Sequence, residues 1–209
     1  MNTPNKILMQ SARETLKGKW GLAIKVTLVY IVIQIFLSFL SKVTNLTPLI
    51  SFIINAPLAL GLTIFWISFS RNNNPNLDQV FEGFESWGRA LKAQLLTTIF
   101  TLLWTLLLII PGIIAALSYS QIFYIISEDK NIGINDAIEK SKKMMYGYKW
   151  KFFRLQLRFI GWAFLCILTL GIGFLWLIPY IQVTAAKFYD DIKGETPKTP
   201  EIIEVPVTN

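Results

Sequence analysis

From Leu22 to Leu40 the sequence LAIKVTLVYIVIQIFLSFL carries one charge, Lys25, near its start. At 1.5 Å per helical residue such a run crosses a hydrocarbon core of roughly 30 Å. A chain with a run like this must bury it in a large protein interior or surround it with lipid. With 53% hydrophobic residues among 209 and a mean hydropathy of +0.48, the chain is too apolar for an ordinary soluble domain of its size.

The pattern recurs. Leu49 to Ser70 passes through Asn55, Pro57 and Gly61 without a charge, and Ala93 to Ile110 and Ile113 to Ser127 flank Pro111-Gly112. One straight helix over that last pair would exceed a bilayer and carry Pro-Gly at its centre, so two helices hinged at Pro111-Gly112 are expected. Phe152 to Leu170 and Phe174 to Tyr189 flank Gly171-Ile172-Gly173 in the same way. The expected architecture is an all-α membrane protein with six transmembrane helices as three hairpins, at about 22–40, 49–70, 93–110, 113–127, 152–170 and 174–189. Amphipathic periodicity places a cytoplasmic-side surface helix before each hairpin, at about 5–19, 77–91 and 134–149. Residues 1–193 then form a single membrane domain. The polar, proline-containing tail at 194–209 has no apolar periodicity and reads as disordered. About twenty mostly polar residues precede the first apolar run, so that run reads as a retained helix and not as a cleaved leader.

An offset of 61 residues carries Gly112 onto Gly173, Tyr119 onto Tyr180, Gln121 onto Gln182 and Asp129 onto Asp190. Glycine and tryptophan also stand at the end of each amphipathic stretch, at Gly18-Lys19-Trp20, Trp87-Gly88 and Gly147-Tyr148-Lys149-Trp150. Three copies of one unit are expected.

The formal charge of +7 sits between the apolar runs, which favours an anionic membrane surface over nucleic acid as the partner. If the connections at 41–48, 111–112 and 171–173 are external, only Lys42 of the 20 lysines and arginines lies outside. The positive-inside rule then sets both termini in the cytoplasm of a multi-pass membrane protein. Residues 128–158 carry eight basic groups against four acidic ones. The candidate contacts for anionic headgroups of the inner leaflet, or for a membrane-protein or peptide partner, are Lys140, Lys142, Lys143, Lys149, Lys151, Arg154 and Arg158. Arg154 and Arg158, one turn apart, suit a lipid phosphate, although snorkelling to the interface explains them without any function and is the commoner role of such residues near helix ends.

Gln34, Asn55, Gln121 and Gln182 are amides within apolar runs, suited to bonding between helices or to lining a polar path. Pro57 and Gly61 suit either a broken helix or close packing. The chain has no histidine and one cysteine, Cys166, so the usual general base and an intrachain disulfide are both absent. No catalytic, metal or cofactor site is expected. The leading reading is a non-enzymatic protein that binds lipid or a membrane or peptide partner, in envelope homeostasis or self-protection. A small transporter or channel is the alternative.

Pro111-Gly112-Ile113-Ile114-Ala115, Tyr119-Ser120, Phe159-Ile160-Gly161-Trp162, Thr169-Leu170-Gly171-Ile172-Gly173, Pro179-Tyr180 and Phe188-Tyr189-Asp190 form an ordered string of motifs. Upstream of it stand Ala12-Arg13, Leu16-Lys17-Gly18, Pro57 with Gly61, and Phe81-Glu82-Gly83-Phe84. By these motifs the chain, over about residues 10 to 192, resembles the domain-of-unknown-function 975 family of bacterial integral membrane proteins. The resemblance implies a six-helix membrane protein and transfers no activity to any residue.

Overall fold

The computed structural model describes residues 3–43 and 47–194, without side chains at 41–48; the expected loop at 41–48 and all of the tail beyond Gly194 lie outside the described side chains. Among the described residues every regular element is a helix: α1 (Asn5–Leu16), α2 (Trp20–Val43), α3 (Thr47–Ser70), α4 (Gln79–Glu82), α5 (Trp87–Leu107), α6 (Ile109–Tyr119), α7 (Ile122–Glu128), α8 (Ile134–Met144), α9 (Lys149–Leu168) and α10 (Phe174–Lys193).

Among the described residues, four spans are long and apolar enough to cross a membrane: Trp20–Leu40, Leu49–Ser70, Trp87–Leu107 and Ile109–Glu128. The remaining two expected crossings, α9 and α10, are 20 residues each but more polar. Lys149, Lys151, Arg154 and Arg158 lie on the first, and Lys187, Asp190, Asp191 and Lys193 on the second. Large apolar side chains stand uncovered along α5, α6 and α9, with Leu106 82% and Leu168 79% exposed. A continuous surface of this kind is what lipid tails solvate and water does not.

Several boundaries differ from the sequence reading. The third apolar segment starts at Trp87, not at residue 93, and the expected surface helix at 77–91 shrinks to the single turn α4. The cause is contact: an added Cβ on Gly83 would lie 2.0 Å from the Pro57 carbonyl oxygen, and one on Gly61 would lie 1.9 Å from that of Val80. α4 is thereby pressed onto α3, and Gly61 serves close packing while α3 runs on unbroken through Pro57. The hinge expected at Pro111-Gly112 lies at Leu108, whose φ of −162° and ψ of 144° are extended. Pro111 falls in the first turn of α6, where its missing N–H costs no hydrogen bond. The segment expected at 113–127 divides at Ser120-Gln121 into α6 and α7. The surface helices expected at 5–19 and 134–149 end at Leu16 and Met144, and the segments expected at 152–170 and 174–189 run instead from Lys149 to Leu168 and from Phe174 to Lys193.

The repeat visible in the sequence has a geometric counterpart. Gly112 rests against Thr105 and Gly173 against Cys166, seven residues back in each case. An offset of 129 residues carries the fully buried Leu8, Ala12 and Leu16 of α1 onto Ala137, Ser141 and Met145, also fully buried, at α8. It also carries Gly18 (φ +80°) onto Gly147 (φ +81°), two left-handed positions that favour glycine as a helix terminator. Packing between the units is cyclic: α4 lies on α3, α8 on α6 and α7, and α1 on α10. The long helices follow the same order, with α5 against α3, α9 against α6 and α2 against α10. The first helices thus close onto the last.

Two apolar clusters fill the interior. One joins Leu8, Ala12 and Leu16 to Phe65, Trp66, Phe69 and Phe188; the other joins Tyr119, Ile122 and Ile125 to Ala137, Ile138 and Tyr189. Edge-on rings at Phe65 and Trp66 (4.8 Å) and near-parallel rings at Tyr124 and Tyr189 (5.1 Å) lie within these clusters, each arrangement contributing about 0.5–1.5 kcal/mol beyond area burial.

Candidate functional site

The ends of α3, α7 and α10 meet in a polar network. Arg71, just beyond α3, places Nη2 2.6 Å from Glu128 Oε1 and Nε 3.1 Å from Asp190 Oδ1. Lys193 lies 2.9 Å from Glu128 Oε2, and the Tyr189 hydroxyl donates to the same oxygen at 2.5 Å. Burial works against the charge on Arg71, but the hydrogen bonds and charges of Asp190 and Glu128 outweigh it and raise the guanidinium pKa. A guanidinium held between two carboxylates ties three helix ends together. Nearby, Lys151 Nζ donates to Asp191 Oδ2 at 2.6 Å with 9% and 1% of their side chains exposed, and the Thr3 hydroxyl also donates to Asp191. Sequence reading singled out Lys151 but missed its partner Asp191 and the network around Arg71, because it ended the last apolar segment at Tyr189. The available signal was the opposite charge at the ends of successive runs, Arg71 after one and Glu128 and Asp190 after two others.

Beside this network a groove opens between α1 and α9 and runs towards α10. Its first part, about 490 Å³, is lined by Pro4, Asn5, Lys6, Lys151, Arg154, Leu157 and Arg158. The second, about 680 Å³, shares Lys6 and Arg158 and adds Met9, Gln10, Arg13, Glu14, Trp162 and Tyr180. The third, about 250 Å³, shares Arg13, Trp162 and Tyr180 and is otherwise walled by Trp20, Cys166, Gly173, Trp176 and Leu177. The groove therefore grades from cationic to aromatic. Helix periodicity produces the cationic wall, because Lys151, Arg154 and Arg158 recur at three- and four-residue steps along one face of α9. Five cations line it against one carboxylate, Glu14.

Of the basic residues singled out in the sequence, the structure brings Lys151, Arg154 and Arg158 to this groove. The others stand elsewhere. Lys140, Lys142 and Lys143 are exposed on α8 and Lys149 is half-buried at the start of α9. Lys142 Nζ sits 5.5 Å from the Tyr119 ring centroid, and Lys143 pairs with Glu139 at 2.6 Å, holding that carboxyl below its usual range. Arg13, not singled out, lies 5.6 Å over the Tyr180 ring. The two cation and ring pairs are related by the repeat, since Arg13 maps to Lys142 and Tyr180 to Tyr119.

Among the amides, Gln34 Nε2 donates to Asn55 Oδ1 at 2.6 Å and ties α2 to α3. Gln121, 1% exposed in the break between α6 and α7, donates to Ser120 Oγ and leaves its Oε1 without a partner among the described residues. Gln182 is half-buried on α10.

A family model described as "Protein of unknown function (DUF975)" matches residues 1–113 and 105–196. No curated protein and no solved structure matches.

Proposed function

The chain belongs to the DUF975 family of unknown function, and from that premise we propose that it is a non-enzymatic membrane protein that binds anionic lipid headgroups at its inner face. The observation that carries this reading is the groove between α1 and α9, where Lys6, Arg13, Lys151, Arg154 and Arg158 face a single carboxylate. Lys151 already donates to Asp191, and a phosphate diester offers acceptor oxygens to the exposed Arg154 and Arg158 beside it, each basic group near an anionic surface contributing about 1 kcal/mol.

In this reading the protein crosses the bacterial plasma membrane six times as three hairpins, with both termini in the cytoplasm. The distribution of Lys and Arg supports that orientation. So does the meeting of the α3, α7 and α10 ends with Thr3, which is expected if each of those helices returns to the same side. The amphipathic α1 and α8 then wedge into the inner half of the bundle, since their buried stripes contact helices of the neighbouring unit.

Two measurements test the proposal. In intact cells, a Cys166→Ser background with cysteine at Leu170 should react with an impermeant maleimide, while one with cysteine at Lys143 should react only after permeabilisation. Reaction of both, or of Lys143→Cys alone, refutes the topology. Purified protein in nanodiscs should retain phosphatidylglycerol over phosphatidylcholine, and equal retention refutes lipid recognition.

A small transporter or channel is the second reading, favoured by the helix break at Ser120-Gln121 and the unpartnered oxygen of Gln121. Solute flux in proteoliposomes that Gln121→Leu and Gln182→Leu abolish would establish it, and flux indifferent to both removes it.

A further inference from the structure

Comparison of the units shows which features of the groove the fold itself requires. The offset of 61 residues maps Lys151, Arg154, Arg158 and Trp162 of α9 onto Ala90, Ala93, Thr97 and Thr101 of α5. Ala90 and Ala93 are fully buried, so at this place the packing of the fold is met by small neutral side chains. The offset of 129 maps Lys6 onto Asn135, whereas Arg13 with Lys142, and Lys25 with Arg154, are cations common to both units. Trp176 and Leu177, which wall the apolar end, map onto Ala115 and Ala116. The joint presence of Lys151, Arg154 and Arg158 at one end, and the Trp176-Leu177 wall at the other, is thus peculiar to this unit. Arg154 and Arg158 are both exposed, so folding does not account for them.

These features are ordered along the groove. Arg154 and Arg158 stand at the polar end and Cys166 at the aromatic end of the same helix, and twelve residues at 1.5 Å each separate Arg154 from Cys166 by about 18 Å. That is the reach of a long acyl chain. The far end is walled by Trp162, Cys166, Trp176 and Leu177, with Arg13 turned onto the Tyr180 ring at its margin. A site that only attracted a charged surface would need the cations but not this slot.

We propose, resting on the lipid reading above, that the groove holds one anionic phospholipid lengthwise, its phosphate on Arg154 and Arg158 with Lys6 and one acyl chain in the slot between Trp162 and Leu177. The site is defined by both ends: phosphate chemistry selects the headgroup and the slot selects the presence of a chain. Charge complementarity fixes the polar end, because Glu14 is the sole carboxylate in the lining and Lys151 is already neutralised by Asp191. A phosphate between Arg154 and Arg158 completes that end without leaving a buried charge unpaired.

Native mass spectrometry of the full chain in detergent tests the site with four probes: dioleoyl phosphatidylglycerol, dihexanoyl phosphatidylglycerol, dioleoyl phosphatidylcholine and glycerol phosphate. The expected result is one retained dioleoyl phosphatidylglycerol per chain, with weaker binding of the short-chain lipid and none of glycerol phosphate. Arg154→Gln with Arg158→Gln should weaken it about thirtyfold at roughly 1 kcal/mol per cation. Leu177→Trp, which fills the slot, should abolish the difference between long and short chains while anionic preference remains. Both variants are accepted only with a wild-type unfolding temperature; should Leu177→Trp lower it, protection of Cys166 from methanethiosulfonate by the long-chain lipid in wild type replaces that arm. Anionic preference with several equivalent sites, or with equal binding of long and short chains in wild type, overturns this proposal and leaves the lipid reading standing. No preference for phosphatidylglycerol over phosphatidylcholine overturns both.

Discussion

Removal of the Asp191 carboxylate isolates the contribution of the most deeply buried ion pair. In Asp191→Asn the side chain keeps its size and its bond to Thr3 but loses the charge that faces Lys151. The Lys151 ammonium, with 9% of its side chain exposed, is then unpaired. Breaking such a pair costs about 3–5 kcal/mol, most of it the desolvation of the remaining ion. Part of that is offset, because Lys151 Nζ also lies 5.4 Å from the Phe188 ring centroid and 5.7 Å from that of Tyr148. Cation and ring contacts of this kind stabilise by about 0.5–2 kcal/mol, so a net loss of about 2–4 kcal/mol is expected. Thermal or SDS-driven unfolding of purified protein in a fixed detergent reads it. Lys151→Met combined with Asp191→Leu removes both charges and should recover most of the loss, since a paired apolar replacement of a buried ion pair is often neutral. A loss under about 0.5 kcal/mol for Asp191→Asn, or a double variant less stable than the single, refutes the account.

Gly83→Ala and Gly61→Ala should each destabilise by about 1–3 kcal/mol through overpacking of α4 on α3, while Gly88→Ala, with open space around its Cα, should be neutral or slightly stabilising; equal effects in the same unfolding assay refute the close-packing argument. Gln34→Leu leaves Asn55 Oδ1 without the bond from α2 and should cost about 0.6–1.7 kcal/mol, and a wild-type midpoint shows that the bond contributes nothing. Arg71→Leu leaves Glu128 and Asp190 facing each other without their shared cation, so hydrogen exchange at the ends of α7 and α10 should accelerate relative to the middle of α3, and unchanged exchange at both ends refutes the tie.

Apolar run length and charge spacing made most of this architecture legible. Residues 49–70 could be read directly as one element because nothing within them but Pro57 interrupts a helix, and α3 runs from Thr47 to Ser70. What escaped the sequence was decided by contacts between units. Gly83 interrupts an amphipathic period only because Pro57 and Gly61 lie beneath it, and no local signal reveals a partner twenty residues away. Leu108 takes the extended turn because Gly112 must rest on Thr105, which displaces the hinge from the proline that marks it. At the candidate site the spacing of Lys151, Arg154 and Arg158 was legible as one helix face, but the facing wall of Lys6 and Arg13 was not, since it comes from α1, more than a hundred residues earlier.

That facing wall follows from the cyclic packing. Each amphipathic helix lies on the preceding unit, so α4 and α8 find their partners as soon as the unit before them is in place, whereas α1 must wait for α10. The groove is the seam where this ring closes. Lys6 and Arg13 come from the first helix, Arg154, Arg158 and Trp162 from the ninth and Tyr180 from the tenth, so no partly assembled bundle contains the site. Thr3 and Asn5 fasten the seam at its inner end, the first to Asp191 and the second, through Nδ2, to the Lys151 carbonyl at 2.9 Å. A ligand lying along the seam contacts α1 and α9 together, so it stabilises the closed ring and not any open one, in proportion to its occupancy. The same geometry explains why the second unit can keep Ala90, Ala93 and Thr97 at the corresponding places: its interface with α8 joins neighbours in sequence.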